Sequence, residues 1–478
     1  MTTLKSLAQS AMLGSTDESL LASAIRVGIA ELGGYVPVAF TGERAICGTE
    51  SRPRMPERAG RLFKRMLEEE MDELLPEFLQ GAAERGYIVP PETLPALLSP
   101  GRNAWHSLIL PVIGERGSWL AAHNPAWDYA RKREPLEAWE NGTRAERVFA
   151  LERIRTTDPA RGREWVQTCW ETDSPEDRAA FLATFAIGLS MDDEPFLEAC
   201  LDDKRKEVRQ AARRLLLRLE TSRFVKRMWT RVKLIVRVRS SFLNKGTLEV
   251  TLPEELDSAA KRDGVGELAL PKKMGEKASR LAQLIALTPP VLWSREFNRS
   301  PDRWIAMALT CEWKEPLLLG WQMAAIGTAD ADWAESLILL WMTQEEAQSF
   351  LDMNALSALV PLLRAEKIEG WVTSIEPGVS DTRSTRAIAL LEMYHRPWTA
   401  NLSRWVVKSV QQQSTVFHQR LLQALPGFAR WMPPELSDEF SQGWEDEPGS
   451  GWNKKIGSFL QILKFRNEIK SSLEEQSS

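Results

Sequence analysis

Four sets of side chains have types and spacing that could do chemistry. The first is a basic run: Arg205, Arg209 and Arg213 recur every fourth residue, Arg214 and Arg218 follow, and lysines and arginines continue to Arg239 with only Glu207 and Glu220 opposing them. On a helix this spacing lines guanidinium groups along one flank, an arrangement that can hold phosphates or an acidic partner. The competing reading is a solvated face balanced by acids from neighbouring helices, and the net charge of -5 for the whole chain favours it. The second set is His123, Asn124 and Asp128, a polar loop site around Pro125 in which an imidazole and a carboxylate stand close in sequence.

The third set is acidic. Asp192-Asp193-Glu194, Asp202-Asp203, and Asp330 with Asp332 and Glu335 have the carboxylate density that suits a hard cation. Each falls at an expected helix start, where capping and the helix dipole already favour an acid, so no metal is expected. The fourth set, Cys47, Cys169, Cys200 and Cys311, has neither metal nor redox spacing, and the reading is reduced thiols, with Cys169 and Cys200 on apolar helical faces. His106, His395 and His418 complete the histidines; His418 falls on an expected helix, as a surface or core side chain. Nucleophile elbow, phosphate-cradling glycine loop and zinc-protease helix are all missing from the sequence, and no catalytic residue, metal or cofactor is assigned.

The elements that must position these groups are clearest from Asp158 to Leu219. Asp158-Pro159 and Ser174-Pro175 each pair a polar cap with proline at the first helical position. Trp165, Val166, Cys169 and Trp170 then share one face, as do Phe181, Leu182, Phe185 and Leu189. A short third helix is expected to be capped by Asp193, and a fourth, capped by Asp202 or Asp203, carries the stripe Val208, Ala211, Ala212, Leu215, Leu216 and Leu219. One-sided helices with short connections bury their stripes by lying antiparallel against the next in line. The expectation is therefore an all-α, HEAT-like α-solenoid of stacked antiparallel helix pairs. Trp165, Trp170, Trp304, Trp321, Trp333, Trp341 and Trp405 fall inside helical patterns and read as large anchors between helices.

Ser300-Pro301 with Trp304, Ile305, Ala308 and Leu309 repeats the signal at Asp158-Pro159, and Glu315-Pro316, Gly327 and a cap at Asp332 echo Ser174-Pro175, Gly188 and Asp193. Between the two blocks the period changes to two over Leu234, Val236 and Val238, and again over Leu248, Val250 and Leu252, with Asn244-Lys245-Gly246 between; a small β-hairpin insertion is expected, although the first run could equally continue a helix from Thr221. The expected organisation is an N-terminal helical region over 1–130, a HEAT-like core over 131–232, a hairpin and loop insertion over 233–274, C-terminal helical repeats over 275–470 and a frayed polar tail over 471–478. The early residues carry one lysine, no apolar run, and acids at Asp17 and Glu18, so neither a signal peptide nor a membrane span is expected and the cytoplasm is the expected compartment.

Trp119-Leu120-Ala121-Ala122-His123-Asn124-Pro125, the stretch from Trp139 to Gly142, Arg153-Ile154-Arg155, Asp158-Pro159-Ala160-Arg161-Gly162-Arg163 and the block from Phe196 to Arg209 resemble a family of uncharacterised bacterial proteins. Lys261-Arg262-Asp263-Gly264 and the block from Trp313 to Trp333 are similar to its later part, so the resemblance covers most of the chain. It implies a HEAT-like helical protein of unknown function with no catalytic residues to carry over. The genes of that family neighbour those for a MoxR-type AAA ATPase, a von Willebrand factor A domain protein and a SWIM zinc-finger protein, which implies protein partners of that kind. The expected function is a non-enzymatic interaction scaffold or adaptor. The alternative is a nucleic-acid-binding HEAT-like solenoid that uses the basic 204–239 stretch with a tryptophan or two for stacking.

Overall fold

Polar caps and first-turn prolines start helices where the sequence puts them. Asp158 accepts a hydrogen bond from the Arg161 N–H at 3.0 Å and Ser174 from the Asp177 N–H at 3.1 Å, with Pro159 and Pro175 next in line. The computed structural model describes residues 22–23, 25–28, 47–131, 134–239, 246–270, 273–377, 381–412, 416–444 and 451–475. The chain divides after Glu50, and in the first unit 22–23 and 25–28 are helical; the remainder of 1–46, the start of the expected N-terminal helical region, lies outside the described residues.

The second unit is all-α with one small β-hairpin. Its main helices begin with α1 (Glu57–Glu68), α2 (Leu75–Glu84), α3 (Gly114–His123), α4 (Pro135–Asn141), α5 (Arg144–Thr157), α6 (Pro159–Cys169), α7 (Pro175–Thr184), α8 (Glu194–Ala199), α9 (Lys206–Arg218) and α10 (Arg223–Ile235). After β1 (Val236–Arg239) and β2 (Thr247–Val250) come α11 (Ser258–Arg262), α12 (Glu276–Ala286), α13 (Val291–Phe297), α14 (Pro301–Leu309), α15 (Lys314–Thr328) and α16 (Ala331–Thr343). Toward the C-terminus lie α17 (Thr382–Met393), α18 (Ala400–Gln411), α19 (Val416–Phe428) and α20 (Trp452–Glu474), with shorter helices and helical turns between them.

From α4 to α10 each helix packs on a neighbour close in sequence: α4 on α5, α5 on α6 and α7, α7 on α9, and α9 on α10. The most extensive helix pair is α12 with α15, and Gly320 explains how they come so close. A Cβ there would lie 2.6 Å from the Ile285 Cβ and 2.8 Å from the Ala282 carbonyl oxygen. Tryptophans fill the layer beside it: Trp293 meets Trp304 edge-on at 5.1 Å and Trp321 at 5.5 Å, and all three are buried. Trp165, Trp333, Trp341 and Trp405 are buried too, in keeping with anchors.

The hairpin takes the boundary between the two sequence readings. Leu234 belongs to α10 and is 66% exposed, and the chain becomes extended only at Val236, where β1 pairs antiparallel with β2 and places Val236 opposite Val250. Asn244 and Lys245 of the expected turn lie outside the described residues. In the second block Asp330, not Asp332, caps its helix by accepting the Trp333 N–H, and the left-handed residue that ends α15 is Ala329, whereas Gly188 itself takes positive φ in the first block. The repeat is thus one of helix order more than of cap chemistry.

Two apolar cores sit in this unit. The larger runs from Ala138 to Leu463; the smaller joins residues 55–130 to Phe465, Ile469 and Leu473. The second core exists because α20 packs on α1 and α2 as well as on α19. Residues 471–475 therefore depart from the expected polar tail: the helix continues to Glu474 and buries Ser472 and Leu473, because their face closes the N-terminal core. Residues 476–478 lie outside the described residues.

Candidate functional site

The basic run divides in two when α9 and α10 form. One flank faces neighbours, and its charge is matched there. Glu267 takes Arg209 on one oxygen at 2.6 Å and Arg213 on the other at 2.8 Å, and Arg213 is itself buried. Asp263, fully buried, receives Arg227 at 2.7 Å and Arg231 at 2.6 Å. Glu194 holds Arg223 at 2.8 Å, Glu198 holds Arg227 and Arg262, and Asp202 holds Arg262 at 2.7 Å. Five acids from α8, its flank and the segment after α11 thus meet six arginines, most of them in charge-assisted hydrogen bonds of normal length.

The electrostatics follow the geometry. The Arg223 guanidinium holds the Glu194 carboxyl below its usual range, and Arg262 does the same for Asp202. At Glu267 burial works upward but is outweighed by Arg209 and Arg213, so its carboxyl also ends below the usual range. Burial is the largest influence on Arg213 and lowers it. Gly264 lies against that guanidinium at φ +94, and a Cβ there would come 2.2 Å from the Arg213 Nη1. Only glycine suits both the backbone and the gap. The other flank of the run remains outward: Arg205, Arg214 and Arg218 are exposed.

Two of the expected caps move. Arg205 occupies the N-cap of α9 and Asp203 instead accepts the Arg205 N–H at 2.8 Å, while Asp203 also holds Arg178 at 3.1 Å. Ser190 rather than Asp193 provides the cap before α8; Asp193 reaches back to the Ser190 N–H and spends its carboxylate on Arg155 and Arg163. Glu335 pairs with Arg364, leaving the acids of the third cluster in caps and ion pairs. Among the described residues no group of three or more His, Cys, Asp or Glu could hold a metal ion. Burial pushes the Cys200 and Cys169 thiols up to about 12, as befits inert core sulfur.

The polar loop site does not assemble around one point. His123 ends α3, is exposed, lies with its Nδ1 2.7 Å from the Trp119 carbonyl oxygen and rests on the Trp119 ring. Asn124 caps the following turn by accepting the Ala126 N–H at 3.0 Å. Asp128 faces elsewhere, into the wall of a cavity that includes neither His123 nor Asn124.

That cavity, of about 790 Å³, lies between the segment 106–131 and helices α4 and α5. Its apolar wall comes from Leu110, Pro111, Ala138, Phe149 and Ala150, and its polar groups include Arg52, His106, Glu115, Asp128, Tyr129 and Arg153. Thr143 and Glu146 close a capping box at the start of α5 on its border, with Glu146 Oε2 2.7 Å from the Thr143 N. Burial raises the Tyr129 hydroxyl above its ordinary value, and its oxygen has no hydrogen-bond partner among the described residues. The sequence carried no signal for this space beyond the breakers that separate α3 from α4. Of the acids facing the arginine run, Glu194 and Asp202 are visible in the acidic clusters of the sequence, though there as helix-start residues; the sequence reading does not single out Glu198, Asp263 and Glu267 as its partners.

No helix among the described residues is long and apolar enough to cross a membrane. Compared with known proteins, the chain matches a family of unknown function, DUF5691, over residues 1–473, and it belongs to that family. No curated protein and no solved structure matches it.

Proposed function

We propose that this DUF5691 chain is a non-enzymatic scaffold that presents a fixed helical surface to protein partners. The observation that carries the reading is the pairing of Arg209, Arg213, Arg223, Arg227, Arg231 and Arg262 with Glu194, Glu198, Asp202, Asp263 and Glu267. Guanidinium groups held this way are spent on joining α8, α9, α10 and α11 into one body. A polyanion would have to break those bonds to reach them. The partners implied by the resemblance, a MoxR-type AAA ATPase and a von Willebrand factor A domain protein, suit such a body, which gains its value from rigidity.

The test is co-purification from the native host with a tagged chain at endogenous level, followed by reconstitution from purified components. Recovery of an ATPase or an A-domain protein that binds directly supports the reading; reconstitution with neither removes it. The second reading, nucleic-acid binding, retains one observation in its favour, the exposed Arg205, Arg214 and Arg218. It predicts retention of DNA or RNA at low ionic strength that weakens steeply with salt. No binding at low salt removes it.

A further inference from the structure

The cavity between residues 106–131 and helices α4 and α5 has two arginines on its border that the scaffold reading does not use. Its volume of about 790 Å³ sits within the range of small-molecule sites, roughly 300–1,000 Å³. The wall that α4 and α5 supply is apolar: Ala138 and Ala150 are buried, and Phe149 faces the same space. The charged groups sort into engaged and free. Glu146 is spent on Thr143, the Arg52 guanidinium donates to the Pro111 carbonyl, and Glu115 and Asp128 each already have an interaction within the chain. Arg131 and Arg153 are exposed, border the same cavity and have no ion-pair partner among the described residues. Two guanidinium groups at the rim are therefore left without a carboxylate partner among the described residues.

From this pairing of an apolar wall with two unengaged guanidinium groups, we propose that the cavity binds a ligand with an apolar body ending in a single anionic group of the carboxylate class. The body replaces water against Ala138, Phe149 and Ala150, where burial of apolar surface drives binding. The anionic end stays at the rim, where Arg131 and Arg153 meet it without full loss of its hydration. A multiply charged phosphate fits poorly, because Glu115, Asp128 and Glu146 border the same space and would repel each added negative charge. A neutral apolar molecule would leave the arginines unused. Carboxylate chemistry of this kind has two sources, a free acyl acid and the C-terminus of a protein chain that ends in an apolar residue.

The experiment uses the full chain and two fluorescent probes with similar aromatic bodies: anilinonaphthalene sulfonate, which carries an anionic group, and N-phenylnaphthylamine, which does not. The wild type is expected to bind the sulfonate probe at one site and more tightly than the neutral one. Joint substitution of Arg131→Gln and Arg153→Gln should weaken the sulfonate probe about 5- to 10-fold and leave the neutral one unchanged. Ala145→Trp, at an exposed position on the cavity border, should block both while helicity is retained. Sulfonate binding that survives Ala145→Trp, or that is indifferent to loss of both arginines, overturns the proposal. Displacement by dodecanoate assigns the site to a free acyl acid. Displacement only by a peptide with a free leucine carboxylate, and not by its amidated twin, assigns it to a chain terminus, and displacement by none of these overturns it.

Discussion

Arg155 and Asp193 meet at 2.9 Å with neither side chain exposed to solvent. The contact joins α5 to the turn before α8 across 38 residues, and Arg155 adds bonds to the carbonyl oxygens of Ile187 at 2.9 Å and Phe185 at 3.3 Å while lying 4.0 Å over the Phe185 ring. Asp193 in turn takes Arg163 from α6 at 2.8 Å. One buried pair thus holds α5, α6 and the end of the α7 segment together. Breaking a buried pair from one side leaves the other charge stranded, at a cost of about 3–5 kcal/mol. Arg155→Met and Asp193→Asn are each expected to lose about that much in urea unfolding. Arg155→Met and Asp193→Asn combined should lose clearly less than the sum of the two, and simple additivity would contradict the account.

The two flanks of the basic run should respond oppositely to charge reversal. Arg213 is buried against Glu267, so Arg213→Glu sets two carboxylates against each other in a site with little water, and the protein should lose several kcal/mol of stability, about 3 or more, or fail to accumulate folded. Arg205→Glu, Arg214→Glu and Arg218→Glu together are exposed changes and should leave the melting temperature within a few degrees. Melting curves check both. Equal loss in the two sets would mean that the outward arginines are engaged as well.

How far the sequence reached can be read from these same residues. Its helical periods located α6 to α9 because each stripe is buried by a neighbour close in the chain, and a short-range pattern suffices for short-range packing; over α10 they left helix and strand both open. Capping was less legible. Asp193 and Asp203 stand where a cap belongs, yet both carboxylates are drawn off by arginines distant in sequence, Arg155 with Arg163 for the first and Arg178 for the second, leaving the cap before α8 to Ser190 and α9 with no side-chain cap. The i, i+4 spacing holds for Arg209 and Arg213, which meet the same carboxylate, but not for Arg205, which stands at the N-cap in extended backbone, and it was silent about Glu267, 54 residues beyond Arg213. His123 and Asp128 are close in sequence and diverge in space, because the cap at Asn124 ends one helix and starts a turn of another pitch. The cavity was illegible because it is bounded by segments that no local period links.

Acid should weaken the protein through the carboxylates that arginines hold low. Folded-state values depressed below the unfolded ones mean that Glu194, Asp202 and Glu335 add stability above the ordinary carboxylate range and lose it as pH falls through their folded values. Asp330 opposes them: burial raises it, so its contribution is present at low pH and fades as pH rises. Asp177, Glu267, Glu296, Asp381, Glu435 and Glu439 are held low as well, so the depressed carboxyls outnumber the raised one and the melting temperature should fall as pH drops below about 4.5, the ordinary glutamate value. Glu194→Gln should be less stable than wild type at pH 7 by about 1 kcal/mol, because its partner Arg223 is partly exposed. The gap between the two proteins should close as pH falls through the depressed folded value of Glu194. A gap that persists unchanged there would assign the loss to packing instead of charge.

The last helix should control the first ones. Arg466 in α20 binds both oxygens of Glu77 at 2.7 Å and donates to the carbonyl oxygens of Ala429 and Met432 at 2.6 Å, so one guanidinium spans α2, α20 and the end of the α19 segment. Seven residues on, Leu473 lies against α2 where Gly81 has no side chain; a Cβ there would be 3.1 Å from the Leu473 Cδ1. The small core around Phe63 and Phe78 is completed by Phe465, Ile469 and Leu473, which arrive from the far end of the sequence. Arg466→Met is therefore expected to cost about 3–5 kcal/mol, and more than Glu77→Gln, because Glu77 keeps partial access to water whereas the carbonyls of Ala429 and Met432 lose their buried donor. Hydrogen exchange makes the prediction regional. In Arg466→Met the amides of α1 and α2 should lose protection together with those of α20, while α6 to α10, joined by their own arginine pairs, should retain theirs. Uniform loss across both groups would mean that the two cores unfold as one, and loss confined to α20 would mean that α1 and α2 stand without it.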